Sequence, residues 1–513
     1  MHLRRSNFQS LGSKGWNGLR PPRWSAWKMI LIIASIILVA LPLGFWSELA
    51  DPRRFEIIML ATPAPWAEMM ATWAIIGLIG IPATWIIITA SIDLVAFFLV
   101  WEALIMSGYF FLNITAWKLG PELGQGILHA APLVVLINTT GFLVLFLFLG
   151  MTYFSGVVRN IQLQPLHAKP EEYDRRLKWF LRVAGIVTIC ILALPMAVTG
   201  VIPLFAENSI VDPRITVTEA SSLRAFYNLG YGLMPFVTAG ILLFCLRKPS
   251  RFLRFDGLLA YCLLITQLLS GNRFPLALVG IATLSLITME RRLPRLVPIG
   301  LFAAFIFFFI SFGGLTGLIR WDRDQLISGN AITKSVESAF TGNNIIDLRD
   351  ASWVLSKWDF DPLMGRTYLG GLTAMLPSGL FPQKKEWHLG LTAIRIVGWE
   401  QTSHPGLRVS FFGEAFLNFG LAGVLTLGTL LGILFGSLLR IFHQVMKKRP
   451  PCLHYNLKLL ILMEMSLHLS NTSNAFSFWT LGGLLALQWF VVDFPTSKLM
   501  RTFLFSFYAP SRA

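Results

Sequence analysis

Charge is scarce in this chain. Of its 513 residues, 14% are Asp, Glu, Lys or Arg and 55% are hydrophobic, whereas soluble domains carry about 25% charged residues. With a mean hydropathy of +0.63, the composition excludes a soluble domain and predicts an all-α polytopic membrane protein. Cysteine is scarce too. Cys190, Cys245, Cys262 and Cys452 show no metal-like spacing, so neither a disulfide framework nor a zinc site is expected. The chain also lacks a Walker lysine loop, a Gly-x-Gly-x-x-Gly turn, a His-Glu-x-x-His pair and a Gly-x-Ser-x-Gly elbow. Their absence removes the familiar nucleotide, zinc-protease and serine-hydrolase signatures.

What is present is a series of apolar runs. They lie near 29–46, 71–89, 91–112, 131–153, 178–204, 228–246, 255–270, 273–289, 296–313, 410–441, 457–471 and 475–494, and predict about twelve transmembrane helices. The net charge of +16 sits between them. Arg175, Arg176 and Lys178, then Arg247, Lys248, Arg251 and Arg254, then Arg291, Arg292 and Arg295, then Arg440, Lys447, Lys448 and Arg449 fall in alternate connections. By the positive-inside rule those connections, and both termini, are cytoplasmic. The basic excess is thus topological, and no nucleic-acid partner is implied. Residues 1–28 read as a basic cytoplasmic tail rather than a cleavable signal, 29–313 as helices one to nine, 408–494 as helices ten to twelve, and 495–513 as a second cytoplasmic tail.

One connection is long. Residues 314–407 form an outer loop of 94 residues with nine Lys or Arg and nine Asp or Glu. Loops of this length are functional or disordered, and the aromatic content of this one argues for order. Where it enters the tenth apolar run, His404, Arg408, Phe411, Glu414 and Asn418 fall within about 120° on a helical wheel. Ionisable groups at membrane depth cost roughly 2.5–3.5 kcal/mol each on insertion scales. The stripe therefore points at a shared cavity, or fixes helix packing, and Asn418 is the member best suited to packing.

The segments Gly-Arg-Thr-Tyr-Leu (365–369), Leu-Pro-Ser-Gly-Leu-Phe-Pro-Gln-Lys-Lys (376–385) and Gly-Glu-Ala-Phe-Leu-Asn-Phe-Gly-Leu-Ala-Gly (413–423), joined to a long outer loop, resemble the Wzy-type O-antigen and oligosaccharide repeat-unit polymerases of the bacterial inner membrane. The turn Ser270-Gly271-Asn272-Arg273 is similar more loosely. The resemblance implies a metal-independent glycosyltransferase without a cofactor, acting on polyprenyl-diphosphate-linked oligosaccharide at the periplasmic face. A flippase and a chain-length regulator of the same pathway are its implied partners, beside the lipid bilayer. It implies cations for the diphosphate, for which arginine's planar fork is suited: Arg273, Arg395 and Arg408. A general base is required at the acceptor hydroxyl, and His404 and Glu414 are the alternatives. Trp353, Trp399 and Arg366 are the candidate sugar contacts. Arg395 to Gly406 fits the family's Arg-x10-Gly spacing once; the outer loop near 205–227 has no second match. Asp359-Phe360-Asp361 reads as loop caps or acceptor contacts. A ligase using the same donor and a twelve-span flippase or transporter are the competing readings.

Overall fold

The computed structural model describes residues 65–89, 121–155, 170–204, 221–247, 253–270, 274–290, 347–398 (save 375, 377, 378 and 385), 407–448, 453–470 and 475–493, with isolated positions between. Every regular element among them is helical. In chain order these are α1 (Pro65–Thr89), α2 (Pro121–Ser155), α3 (Pro170–Thr199), α4 (Ser221–Arg247), α5 (Phe255–Leu269), α6 (Phe274–Glu290), α7 (Asp347–Lys357), α8 (Arg366–Leu372), α9 (Leu389–Ile396), α10 (Phe411–Lys448), α11 (Leu453–Ser470) and α12 (Ala475–Gln488), the last followed by a π turn, Trp489–Asp493.

This is an all-α, multi-pass membrane protein, but the expected count of about twelve spans does not hold. Among the described residues four helices are long and apolar enough to cross a membrane: Gly124–Ser155, Glu172–Val198, Leu229–Arg247 and Phe411–Ile441. The reason is length and polarity. At 1.5 Å per residue, the 15 residues of α5 and the 14 of α12 rise about 22 Å, short of a hydrocarbon core of about 30 Å. α11 has the length, but His454, Asn456, Lys458, Glu464 and His468 lower its hydropathy. α1 contributes a shorter apolar stretch, Glu68–Leu78. The runs at 29–46, 91–112 and 296–313 lie outside the described residues apart from isolated positions, as do the two tails.

The centre of the fold is the contact between α2 and α10. A Cβ on Gly428 would lie 2.8 Å from the Gly141 carbonyl oxygen, and one on Gly436 would lie 2.6 Å from that of Leu149. One on Gly432 would collide with that of Leu145. Residues four apart on one helix meet residues four apart on the other in the same order, so the two run parallel. Without a hydrophobic force between helices in lipid, such small-residue ladders let backbones approach and gain dispersion contacts. Arg440 closes the ladder by donating to the Tyr153 carbonyl oxygen at 2.9 Å. Gly432→Leu must push the helices apart. It is expected to cost about 2–3 kcal/mol, read as a lower melting temperature of the detergent-solubilised protein.

α10 is broken near its start. Gly420 has φ 60° and ψ −151°, a conformation open to glycine and costly for other residues. A Cβ on Gly423 would collide with the Ala415 carbonyl oxygen, eight residues back, where a straight helix would separate the two by about 12 Å. The chain therefore reverses at Gly420. Residues 411–419 form a short arm lying back along 421–428, and Phe412 and Gly428 both reach Gly141 of α2.

The basic ends of the helices gather on one side. Arg247 at the end of α4 pairs with Asp174 near the start of α3 at 2.7 Å. Lys178 and Arg182 of α3 both hold Asp256, in the first turn of α5. Lys458 of α11 pairs with Asp493 of the π turn. The His454 ring lies 2.6 Å from Asp493, receives the Gln488 amide at 3.0 Å and stacks on Tyr173. Burial pushes the His454 pKa below its ordinary 6.5, against the opposing pull of Asp493 and Asp174 and with the help of Lys458. An imidazole with a lowered folded-state pKa binds its proton more readily when the chain is unfolded. Its contribution is therefore complete above about pH 6.5 and is lost as pH falls toward the folded value. Asp493, held below its ordinary 3.8 by His454 and Lys458 despite burial, loses its contribution only at more acidic pH. As pH falls below about 6.5 the wild type should lose stability at this joint, read as a falling melting temperature. His454→Asn should flatten that slope.

Candidate functional site

The opposite end of α10, its short arm, is where the long loop docks. Three consecutive backbone N–H groups of the loop point at the arm. Those of Leu363 and Met364 donate to the Leu417 and Asn418 carbonyl oxygens at 3.0 and 3.1 Å, and that of Gly365 donates to Asn418 Oδ1 at 2.9 Å. The break at Gly420 deprives those carbonyls of intrahelical partners, and the loop supplies them. The loop adopts unusual backbone to do so: Phe360, Met364 and Gly365 all have positive φ. A non-glycine residue held there costs of order 1–3 kcal/mol and persists where its surroundings over-determine it.

α8 starts at this junction, and its second residue completes the link. Thr367 Oγ1 donates to Glu414 Oε1 at 2.7 Å and accepts from Asn418 Nδ2 at 2.7 Å; Asn418 Nδ2 also reaches the Glu414 carbonyl oxygen at 2.9 Å. Thr367, Glu414 and Asn418 are all fully buried. The sequence stripe thus divides. Glu414 and Asn418 face Thr367 and Gly365, not open space, and fasten the loop to the membrane helix. Tyr368 stacks on Phe419, its hydroxyl buried with no hydrogen-bond partner among the described residues. Burial, and secondarily the Glu414 carboxylate, pushes the Tyr368 phenol well above its usual range.

Two exposed cations lie at opposite ends of the arm. Arg366 is exposed at the first position of α8, next to Thr367, and Arg408 is exposed three residues before α10. The main chain of Arg408 is held: its N–H lies 3.4 Å from Asp350 Oδ2, while Asp350 Oδ1 takes the Arg349 guanidinium at 3.0 Å. Asp350 therefore ties α7 to the entry of α10, holding the Arg408 main chain with one oxygen and the Arg349 guanidinium with the other. Arg395, exposed in the last turn of α9, is not brought into any of these bonds. α9 begins at His388, whose ring caps the Gly390 N–H at 3.2 Å.

Other candidates lie elsewhere. Trp353 is 7% exposed, on the α7 helix that packs along α2. Trp358 is equally buried, against Phe416, its indole donating to the Asp361 carbonyl oxygen at 3.1 Å. Asp359 accepts the Asp361 N–H at 3.1 Å, which makes Asp359-Phe360-Asp361 a capped turn. His404, Arg273 and Trp399 lie outside the described residues. Thr367 and Asp350 are the residues that sequence reasoning missed. Thr367 sat inside a segment singled out for its resemblance, but a threonine in a loop carries no signal of the carboxylate it will meet. No family model matches the chain, and neither a curated protein nor a solved structure matches it.

Proposed function

We propose that the protein is a polymerase that joins polyprenyl-diphosphate-linked oligosaccharide repeat units on the outer leaflet of a bacterial inner membrane. The observation that carries this reading is the anchoring of Gly365–Arg366–Thr367 on Glu414 and Asn418. It presents Arg366 at the broken end of a membrane helix, while Arg408 stands at the entry of the short arm, where Asp350 holds its main chain. Two of the three motifs that resemble the polymerases, 365–369 and 413–423, make this junction. In the reaction an acceptor hydroxyl attacks the anomeric carbon of the donor sugar and polyprenyl diphosphate departs. Arg408, with Arg273 and Arg395 as the other candidates, holds the departing charge. His404 takes the hydroxyl proton, and Glu414 acts as a positioning residue through Thr367.

The reconstituted protein, supplied with labelled lipid-linked repeat units, should yield a ladder of products still on polyprenyl diphosphate. Transfer to lipid A core would make it a ligase, and movement of donor across the bilayer without a new glycosidic bond would make it a flippase. Sidedness is read separately: the proposal assigns the basic ends, and with them both termini, to the cytoplasmic face by the positive-inside rule. An impermeant thiol reagent added to spheroplasts should label Gln383→Cys and spare Leu253→Cys; the reverse pattern would turn the site to the cytoplasm.

A further inference from the structure

We propose that residues 364–380 are seated in the bilayer, with lipid acyl chains as the partner that covers Met364, Leu369, Leu372, Leu376 and Leu380. These five side chains are 71%, 48%, 44%, 44% and 75% exposed. The stretch MGRTYLGGLTAMLPSGL holds one charged residue, Arg366. A water-facing loop that displays five large apolar side chains in 17 residues is unusual, and such patches mark interaction surfaces.

Continuity identifies the partner. Met364 and Gly365 are bonded to Asn418, and a Cβ on Gly365 would lie 3.0 Å from the Phe419 ring. Phe419 is itself 48% exposed at the turn of α10. Just past that turn Ala422, Thr426, Leu430 and Ile433 form one exposed face at helical spacing along a membrane-spanning helix. The loop patch therefore extends the lipid-facing surface of α10 and does not stand apart from it.

The backbone is prepared for the same environment. At membrane depth each carbonyl and N–H needs an internal partner. Beyond α8 the N–H groups of Thr373, Ala374 and Leu376 donate to the Leu369, Gly371 and Thr373 carbonyl oxygens. Lys384 then folds its ammonium back onto the carbonyl oxygens of Ala374 and Leu376. A lysine that spends its charge on main-chain carbonyls suits an interface, where its stem lies along apolar surface. Polar, exposed Gln383 and Glu386 follow at once, and mark the return to water. This inference does not depend on the polymerase reading.

The test uses the full chain in lipid nanodiscs, its four cysteines replaced and a single nitroxide placed at Met364, Leu369 or Leu380, with Gln383 and Glu386 as references. The ratio of oxygen to nickel-chelate collisions should be several-fold higher at the first three positions than at the references. Equal ratios would show a water-facing loop, and low collision with both reagents would show a protein cover; either result overturns the proposal. Unmodified protein gives an independent reading. A lipid carrying a diazirine on its acyl chain should cross-link peptides within 364–380 as well as the 422–434 face. Cross-linking of that face alone would also overturn it.

Discussion

Replacing Arg408 by alanine is expected to reduce polymer formation by about 10²–10³-fold while leaving the protein in the membrane at its normal level. The magnitude is that of removing one preorganised donor from a site where charge develops. The structure separates the two consequences. The backbone of Arg408 is held by Asp350, so the chain path into α10 survives loss of the side chain, while the exposed guanidinium is what a diphosphate would meet. Arg408→Lys should recover part of the activity, since lysine keeps the charge but lacks the bidentate fork. Asp350→Asn weakens the anchor and the Arg349 contact together, and should raise the donor KM more than it lowers kcat. Wild-type polymerisation by Arg408→Ala would remove the centre of the functional proposal.

How much of this was legible beforehand differs from one element to the next. Hydropathy located α2, α3, α4 and α10 well, because a long apolar run forms a long helix wherever its backbone must be satisfied internally. It over-counted spans for a physical reason. An apolar window signals burial, and in α5 and α12 that burial is achieved against α3 and α4 by helices of 15 and 14 residues. The helical wheel drawn through Glu414 and Asn418 was sound as far as it went, since both lie on the arm before Gly420. It could not show that the helix stops there. Gly420 is one of six glycines in the run, and three of the others, Gly428, Gly432 and Gly436, are there for close approach to α2. Nothing local in the sequence tells a glycine that turns the chain from one that lets another helix in. The partners of the stripe were invisible for the same reason: Thr367 lies 47 residues from Glu414, and only the reversal brings them together.

Glu414 offers the sharpest separation of positioning from proton transfer. Glu414→Ala leaves the Thr367 hydroxyl facing a buried void and loses the acceptor that fixes α8. That should destabilise the fold by roughly 3 kcal/mol and expose the 373–388 segment to protease. Glu414→Gln retains Oε1 as acceptor for Thr367, so folding and loop docking should survive. If Glu414 only positions the loop, the glutamine variant should polymerise within a few-fold of wild type. The base is then His404, and His404→Ala and His404→Gln should each lose about 10²–10⁴-fold, the usual contribution of a general base, with donor binding unchanged. A well-folded but inactive Glu414→Gln, paired with active His404 variants, would reverse the assignment and make the buried carboxylate the base. Its contact with Thr367 would then be a resting-state hydrogen bond that must break before the acceptor can reach it.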